Sequence, residues 1–347
     1  MYRIDPLTDP RWPEFLSRQP AASVFHTRGW LESLRRSYGY EPFVLTTTSP
    51  GAELQNGLAL CRIKSWLTGE RLVSLPFADH CQPLFDRDAD LYPLLEEVCA
   101  SKAGARRYLE IRPVPAEQVH LREHTALRPG DEFRLHLLDL QPGLDQIFQS
   151  FDKSSIQRGI QRGERLRLTY EEGASPALLK KFYSLQVLTR RRHRLPPQPV
   201  QWFRNLLELL GNEAKIRVLS EGEHPVASIF TLFYNGSMLY KYGCSDPRFN
   251  NLHGPTQLFW RAIQEAKEKG ARVFDLGRSD LDNPGLIRFK SKWGSTDLPL
   301  TYWRFPPPAR KRRSVLDKGG KAGRQILSHL PDPLLILLGR TLYKHAG

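Results

Sequence analysis

The sequence predicts an α/β fold, and three observations lead there. Helical and strand periodicities alternate through both halves of the 347-residue chain, the pattern of sheets covered by helices. Residues 237–278 compress a strand, a turn-rich loop, a helix and a second strand into about forty positions. Polar and charged residues then collect just beyond the strand ends, where open α/β sheets build ligand sites.

Taken in order, the first half predicts a helix over 27–38, strands over 41–47, 58–65 and 72–76, a helix over 91–103 and a strand over 108–112. The second half opens with a basic helix over 154–165. A strand over 166–170 follows, in which Leu166, Leu168 and Tyr170 alternate with Arg167 and Thr169. A helix over 176–190, a proline-rich loop, a helix over 200–210 and strands over 216–220 and 226–234 come next. The strand 237–244 runs through a loop to Gly254-Pro255-Thr256, where proline at the first helical position marks a helix start. Leu258, Phe259, Ala262, Ile263 and Ala266 form one apolar stripe, and Gly270 supplies the left-handed stop before the strand 273–278. Tyr240 and Tyr242, two apart on one strand, are expected to share a face. The expected division is 1–145, 146–305 and a basic, partly apolar helical tail over 306–347.

Composition is that of a globular protein, with 40% hydrophobic residues and seven tryptophans. Cys61, Cys81, Cys99 and Cys244 lie far apart with no paired spacing, which excludes a zinc cluster and argues for thiols in a reducing compartment. No metal is assigned: Asp86-Arg87-Asp88-Ala89-Asp90 abuts a predicted helix and reads as a capping loop. The amino-terminal residues lack a signal-peptide apolar stretch, and no run spans a bilayer, so a cytoplasmic protein is expected. The net charge is +14, and half of it sits in residues 306–347, where nine lysines and arginines face two aspartates. Charge alone would suit a nucleic-acid binder, but no nucleic-acid motif accompanies it, so sequence-specific DNA is not expected as a partner.

The order Tyr240-x-Tyr242-Gly243-x-Ser245-Asp246, a helix, Phe274-Asp275-x-Gly277-Arg278, then Gly285-x-x-x-Phe289-Lys290-x-x-x-Gly294 resembles the FemAB-type transferases of the GNAT-like acyltransferase superfamily. The closest likeness is to FemAB-related proteins found with bacterial exopolysaccharide systems. Val24-Phe25-His26-x-x-x-Trp30, the run 74–79, and Ser154-Ser155-x-x-Arg158-x-x-Gln161-Arg162 extend it over residues 20–303. The resemblance implies two tandem GNAT-like domains. It also implies that Phe289 and Lys290 lie by the transferred acyl group, with Lys290 as oxyanion donor; the alternative for Lys290 is a solvated lysine on a loop.

Asp275, at a strand's carboxyl end, could take a proton or orient an amine, or else pair with Arg278 and brace the turn. The tyrosines Tyr240 and Tyr242 are candidate substrate contacts or half-buried core. Asn251, His253 and Gly254 lead into a helix start, where amides favour a phosphate. The acetyl-CoA turn of typical GNAT proteins is richer in glycine than this one, which counts against that donor. Arg158, Arg162 and Arg165 fall on one helical face suited to a diphosphate, a CoA or a tRNA backbone; the run 190–194 is a second candidate phosphate contact.

The expected activity is transfer of an acyl or aminoacyl group to an amine of a cell-envelope saccharide or peptidoglycan precursor, an anionic partner. The donor is aminoacyl-tRNA or acyl-CoA, with no tightly bound cofactor. The alternative is a non-catalytic module that binds an anionic glycan precursor or an envelope-assembly partner. Arg310-Lys311-Arg312-Arg313, followed by the apolar run 334–338, suggests peripheral contact with an anionic membrane at its inner face, or a last helix folded on its own body.

Overall fold

The structure is a computed structural model, and it describes residues 1–85, 91–100, 106–115, 126–306 and 327–347. The acidic run 86–90 and the basic cluster 310–313 lie outside these residues. Among the described residues there are thirteen strands: β1 Tyr2–Ile4, β2 Glu41–Thr46, β3 Asn56–Ile63, β4 Glu70–Val73, β5 Leu84–Phe85, β6 Arg106–Ile111, β7 Arg128–Asp139, β8 Thr169–Gly173, β9 Ala214–Glu221, β10 His224–Tyr234, β11 Ser237–Ser245, β12 Val273–Asp280 and β13 Thr296–Phe305. The chain divides into two compact units, each discontinuous: Met1–Phe133 with Pro299–Lys318 and Thr341–Gly347, and Arg134–Leu298 with Gly319–Arg340.

In the first unit the strand order is β1-β2-β3-β4-β6, with the Trp303–Phe305 end of β13 antiparallel beside Leu109–Ile111. β4 and β6 are parallel, which demands a crossover, and the helix Leu91–Ala100 supplies it. The helix Arg28–Tyr38 begins at Thr27, whose side chain accepts from Trp30 N, and stops at Gly39, which takes a φ of 70°. Its buried face carries Trp30, Leu31, Leu34 and Tyr38. Inside, Phe43, Leu58, Leu60, Leu94, Leu95, Ile111 and Trp303 form one apolar core. Glu110, 2% exposed, is held between Arg112 and Arg304. The two guanidiniums hold this carboxyl below the usual range against the opposing effect of burial.

The second unit orders its strands β7-β12-β11-β10-β9-β8. β10 pairs antiparallel with both β9 and β11, whereas β11 and β12 are parallel and are joined by the helix Gly254–Glu268. That helix lays Leu258, Phe259, Ala262, Ile263 and Ala266 against Ile229, Met238 and Phe274 of the sheet. Arg217, wholly buried on β9, binds Glu265 of the helix and Thr231 of β10, so one cation ties the helix to two strands. The helices Pro176–Arg192 and Val200–Leu210 follow their predicted ranges closely. Helix Asp332–Leu342 buries Leu335 completely and brings Gly339 against the carbonyl of Pro197.

Three local expectations are corrected. The strand after the basic helix begins at Thr169 instead of Leu166, because the chain is still turning off the helix there, with Leu166 N and Leu168 N bonded to the carbonyls of Gly163 and Leu166. The basic helix opens with a π-helical turn, Lys153–Gln157, before the α-helix Arg158–Glu164. Finally, the β10–β11 register slips between Phe230 and Thr231, leaving Lys241 as the extra residue. Tyr240 and Tyr242 therefore turn to opposite faces: Tyr240 packs on Phe259, and Tyr242 on Phe203 and Phe230.

Candidate functional site

The β11–β12 ladder runs over only three pairs, Ser237–Leu239 against Val273–Asp275. Beyond them β12 bends at Gly277, whose φ of 74° belongs to the left-handed region open to glycine. Two side chains hold this bend. The Asp275 carboxylate accepts from Gly277 N at 2.7 Å, and the Lys290 ammonium donates to the carbonyls of Gly277 and Arg278 at 2.9 and 2.8 Å.

Lys290 is thus no solvated loop lysine. It stands in the helix Pro284–Ser291 and is 3% exposed. Asn283 caps that helix by accepting from Leu286 N, and Pro284 opens it. Its far end is tied down by Asp152 N on the Lys292 carbonyl and by Lys292 Nζ on Ser155 Oγ. Gly294, at φ 68°, then passes against Ser150, where a side chain would collide. Phe289 lies edge-on to Phe259 and beside Trp293, joining the lysine's helix to the core of the unit. Asp275 is 4% exposed and turned to the Gly277 amide, which gives it a turn-bracing bond of its own; Arg278 is half-buried.

The predicted anion contacts come together at a second place in the same unit. Gly159 and Gly163 let the helix Arg158–Glu164 press against the start of the helix Gly254–Glu268. Side chains at these positions would meet His253 and Thr256 in one case and Gln257 in the other. Arg158 and Arg162 stay exposed beside this contact, as does Asn251. His253 is the cap, with φ 52°. Gly254 is buried, and a Cβ there would lie 2.8 Å from that of Ala227; its small size lets the helix start sit directly on β10. Arg190, Arg191 and Arg192 end the helix Pro176–Arg192, where basic residues complement the helix dipole. Arg191 binds Asp332 and the Leu330 carbonyl.

Tyr242 Oη accepts from Trp202 Nε1 at 2.8 Å. Tyr240 is pushed well above the usual tyrosine range by burial, so it serves as a neutral hydroxyl. Residue-type reasoning missed His136 on β7, which is completely buried with neither ring nitrogen hydrogen-bonded among the described residues. Burial and the nearby Lys290 charge push its pKa down to about 4. A lone histidine in a strand gives no motif, and only the packed structure singles it out.

A cavity of about 640 Å³ lies among the helices Pro176–Arg192, Val200–Leu210 and Asp332–Leu342, lined by Leu179, Tyr183, Val187, Arg204 and Ile336. None of the predicted site residues lines it. Among the described residues, no group of three His, Cys, Asp or Glu side chains could hold a metal ion, and no helix is long and apolar enough to cross a membrane.

Residues 151–291 match the family model of the acetyltransferase (GNAT) domain. That span holds both the braced Gly277 bend and the arginine helix. No curated protein matches the sequence significantly. Among solved structures, the chain is similar to FemX at 15% identity, covering 87% of this chain and 97% of that one, with a TM-score of 0.68. L-PGS from Bacillus licheniformis is 16% identical over 96% of this chain and 97% of its own, with a TM-score of 0.56. A tandem GNAT protein from the clavulanic acid biosynthesis pathway is 11% identical over 89% and 98%, with a TM-score of 0.54.

Proposed function

We propose that this chain, which has the tandem GNAT-like fold of the FemAB-type transferases, transfers an acyl or aminoacyl group to an amine of a cell-envelope saccharide or peptidoglycan precursor. The observation that carries this reading is the parting of β11 from β12 after Asp275, with the bend beside it braced by Lys290 and Asp275. Where two parallel strands part, backbone amides and carbonyls lose their strand partners and become available to an extended ligand. The motif resemblance to the FemAB-type transferases favours an aminoacyl donor, and the single glycine of the turn at Gly254 weighs against acetyl-CoA.

In this reading the phosphates of the donor meet Arg158 and Arg162 and the first-turn amides of the helix Gly254–Glu268, a concentration of cationic and amide donors suited to anions. The acyl carbonyl lies by Phe289 and Lys290, where a buried ammonium stabilises the developing oxyanion. No tightly bound cofactor takes part. The protein works at the inner face of the membrane, with Leu334 and Leu337, 52% and 58% exposed, available for peripheral contact with it.

The test is transfer of radiolabel from alanyl-tRNA, and separately from acetyl-CoA, to glucosamine and to a lysine-containing muramyl pentapeptide. Label in an amide product with one donor supports the reading. No product with any pairing, from protein that is folded, would leave the chain as a binding module.

A further inference from the structure

His136 breaks the rule that buried polar groups are paired: it is 0% exposed, and neither Nδ1 nor Nε2 has a hydrogen-bond partner among the described residues. An unpaired polar group in that position opposes folding, so an apolar residue there would serve stability better. Its place in the fold gives it a reason to be there. Leu138, two residues along β7, packs into the core that contains Phe259 and Trp293, so His136 points to the same face of the sheet. The helix carrying Phe289 and Lys290 packs on that core. The charged groups within electrostatic reach of the ring are Lys290 of that helix, Asp275 of β12, Asp297 of β13 and Arg134 of β7 itself.

We propose that His136 is a catalytic residue that accepts the proton released by the attacking amine, a role that rests on the transfer reaction proposed above. The amine lone pair attacks the acyl carbonyl carbon, forming the C–N bond and moving the carbonyl π electrons onto oxygen. The proton from nitrogen passes to the unprotonated ring nitrogen of His136. The oxyanion then collapses and the C–O bond of an aminoacyl ester, or the C–S bond of a thioester, breaks. Its electron pair leaves with the ribose hydroxyl or thiol, which takes up the proton from the imidazolium and restores the neutral ring. Two residues before His136 on the same face, Arg134 is 43% exposed and approaches Asp297 at only 3.8 Å; displacing this loose pair is the acceptor's route to the ring.

The experiment compares the full chain with His136→Leu and His136→Gln, in melting and in the radiolabel transfer assay. Both variants are expected to fold, His136→Leu with unchanged or raised Tm, and transfer is expected to fall about a hundredfold or more in each. Wild-type kcat/KM is expected to fall as the solution is acidified and the ring becomes protonated. Either variant keeping most of the turnover overturns the proposal. If the wild type transfers nothing, the functional reading fails by that result alone, and melting still judges His136. A large drop in Tm for His136→Leu, together with recovery in His136→Gln, would mark the ring as a structural hydrogen-bonding residue and overturn the role. An unchanged or raised Tm would uphold the structural oddity from which the role is argued.

Discussion

The Tyr240 hydroxyl occupies the space that a side chain on Gly243 would need. The bulge at Lys241 puts these two positions on one face, and the ring then lies along the strand with its other side on Phe259, 4.4 Å between centroids. Gly243→Ala is expected to force the ring off Phe259 and destabilise the protein by about 1–3 kcal/mol. Tyr240→Ala should lose packing on its own, yet the second substitution should add little to it. Chemical denaturation of the two single variants and the double variant measures the coupling; strict additivity would show that the two residues do not compete for space.

Lys290→Met keeps the unbranched stem as far as the ε position and removes the donor to Gly277 O and Arg278 O. Leaving two carbonyls without that ammonium is expected to destabilise the fold by about 2–3 kcal/mol. The transfer rate should fall further than the loss of folded protein explains. A variant that melts like the wild type would contradict the brace. One that is less stable but fully active per folded molecule would confine Lys290 to holding the bend.

Because Arg158 and Arg162 are exposed, replacing both with alanine should leave stability within about 0.5 kcal/mol. Affinity for alanyl-tRNA should drop, and its dependence on salt should flatten, since two phosphate contacts are gone. Binding measured at two ionic strengths decides the matter: an unaltered salt slope would take these arginines out of the donor site.

Residues 341–347 close the first unit. Arg71, 3% exposed, donates to the carbonyls of His345 and Gly347, while Tyr40 Oη donates to Tyr343 O and Ser65 pairs with His345. Removing these seven residues would strand a buried guanidinium, and a loss of about 3 kcal/mol or more is expected. Thermal melting of the shortened chain checks this. An unchanged Tm would mean that Arg71 finds other acceptors.

The sequence was legible where local chemistry and the final structure agree. Gly254-Pro255 and Gly270 frame their helix as expected, and 200–210 was bounded to the residue. Tyr240 and Tyr242 were misread because strand alternation assumes an unbroken register, and a bulge is set by the pairing of two strands distant from the rule that reads one. At Lys290 only the solvated-loop alternative fails, and for a similar reason: residue type argues for exposure, and only the approach of the helix Pro284–Ser291 to the Gly277 bend supplies the carbonyls that make its burial tolerable. β7 escaped notice because Arg134 and His136 stand where a half-buried strand should carry apolar residues, and β13 because Pro299 stands inside it. Of the candidate site, the arginine face and the Phe289-Lys290 pair are candidates that spacing and resemblance put forward, whereas nothing in the sequence points to His136, since its oddity is a lack of partners among the described residues.

Each unit draws on segments far apart in the chain, and this bears on how the protein is made. Residues 1–133 leave the ribosome first, yet β6 waits for Trp303–Phe305 and Arg71 for His345 and Gly347. The whole of Arg134–Leu298 is synthesised in between. The nascent first unit therefore carries an unpaired strand edge and a guanidinium left with Thr68 Oγ1 but without its tail acceptors throughout that interval, a state that exposes it to chaperones and to self-association. Cutting a gene for this protein after Phe133 would yield a fragment held permanently in that condition, however well its helices and first strands form.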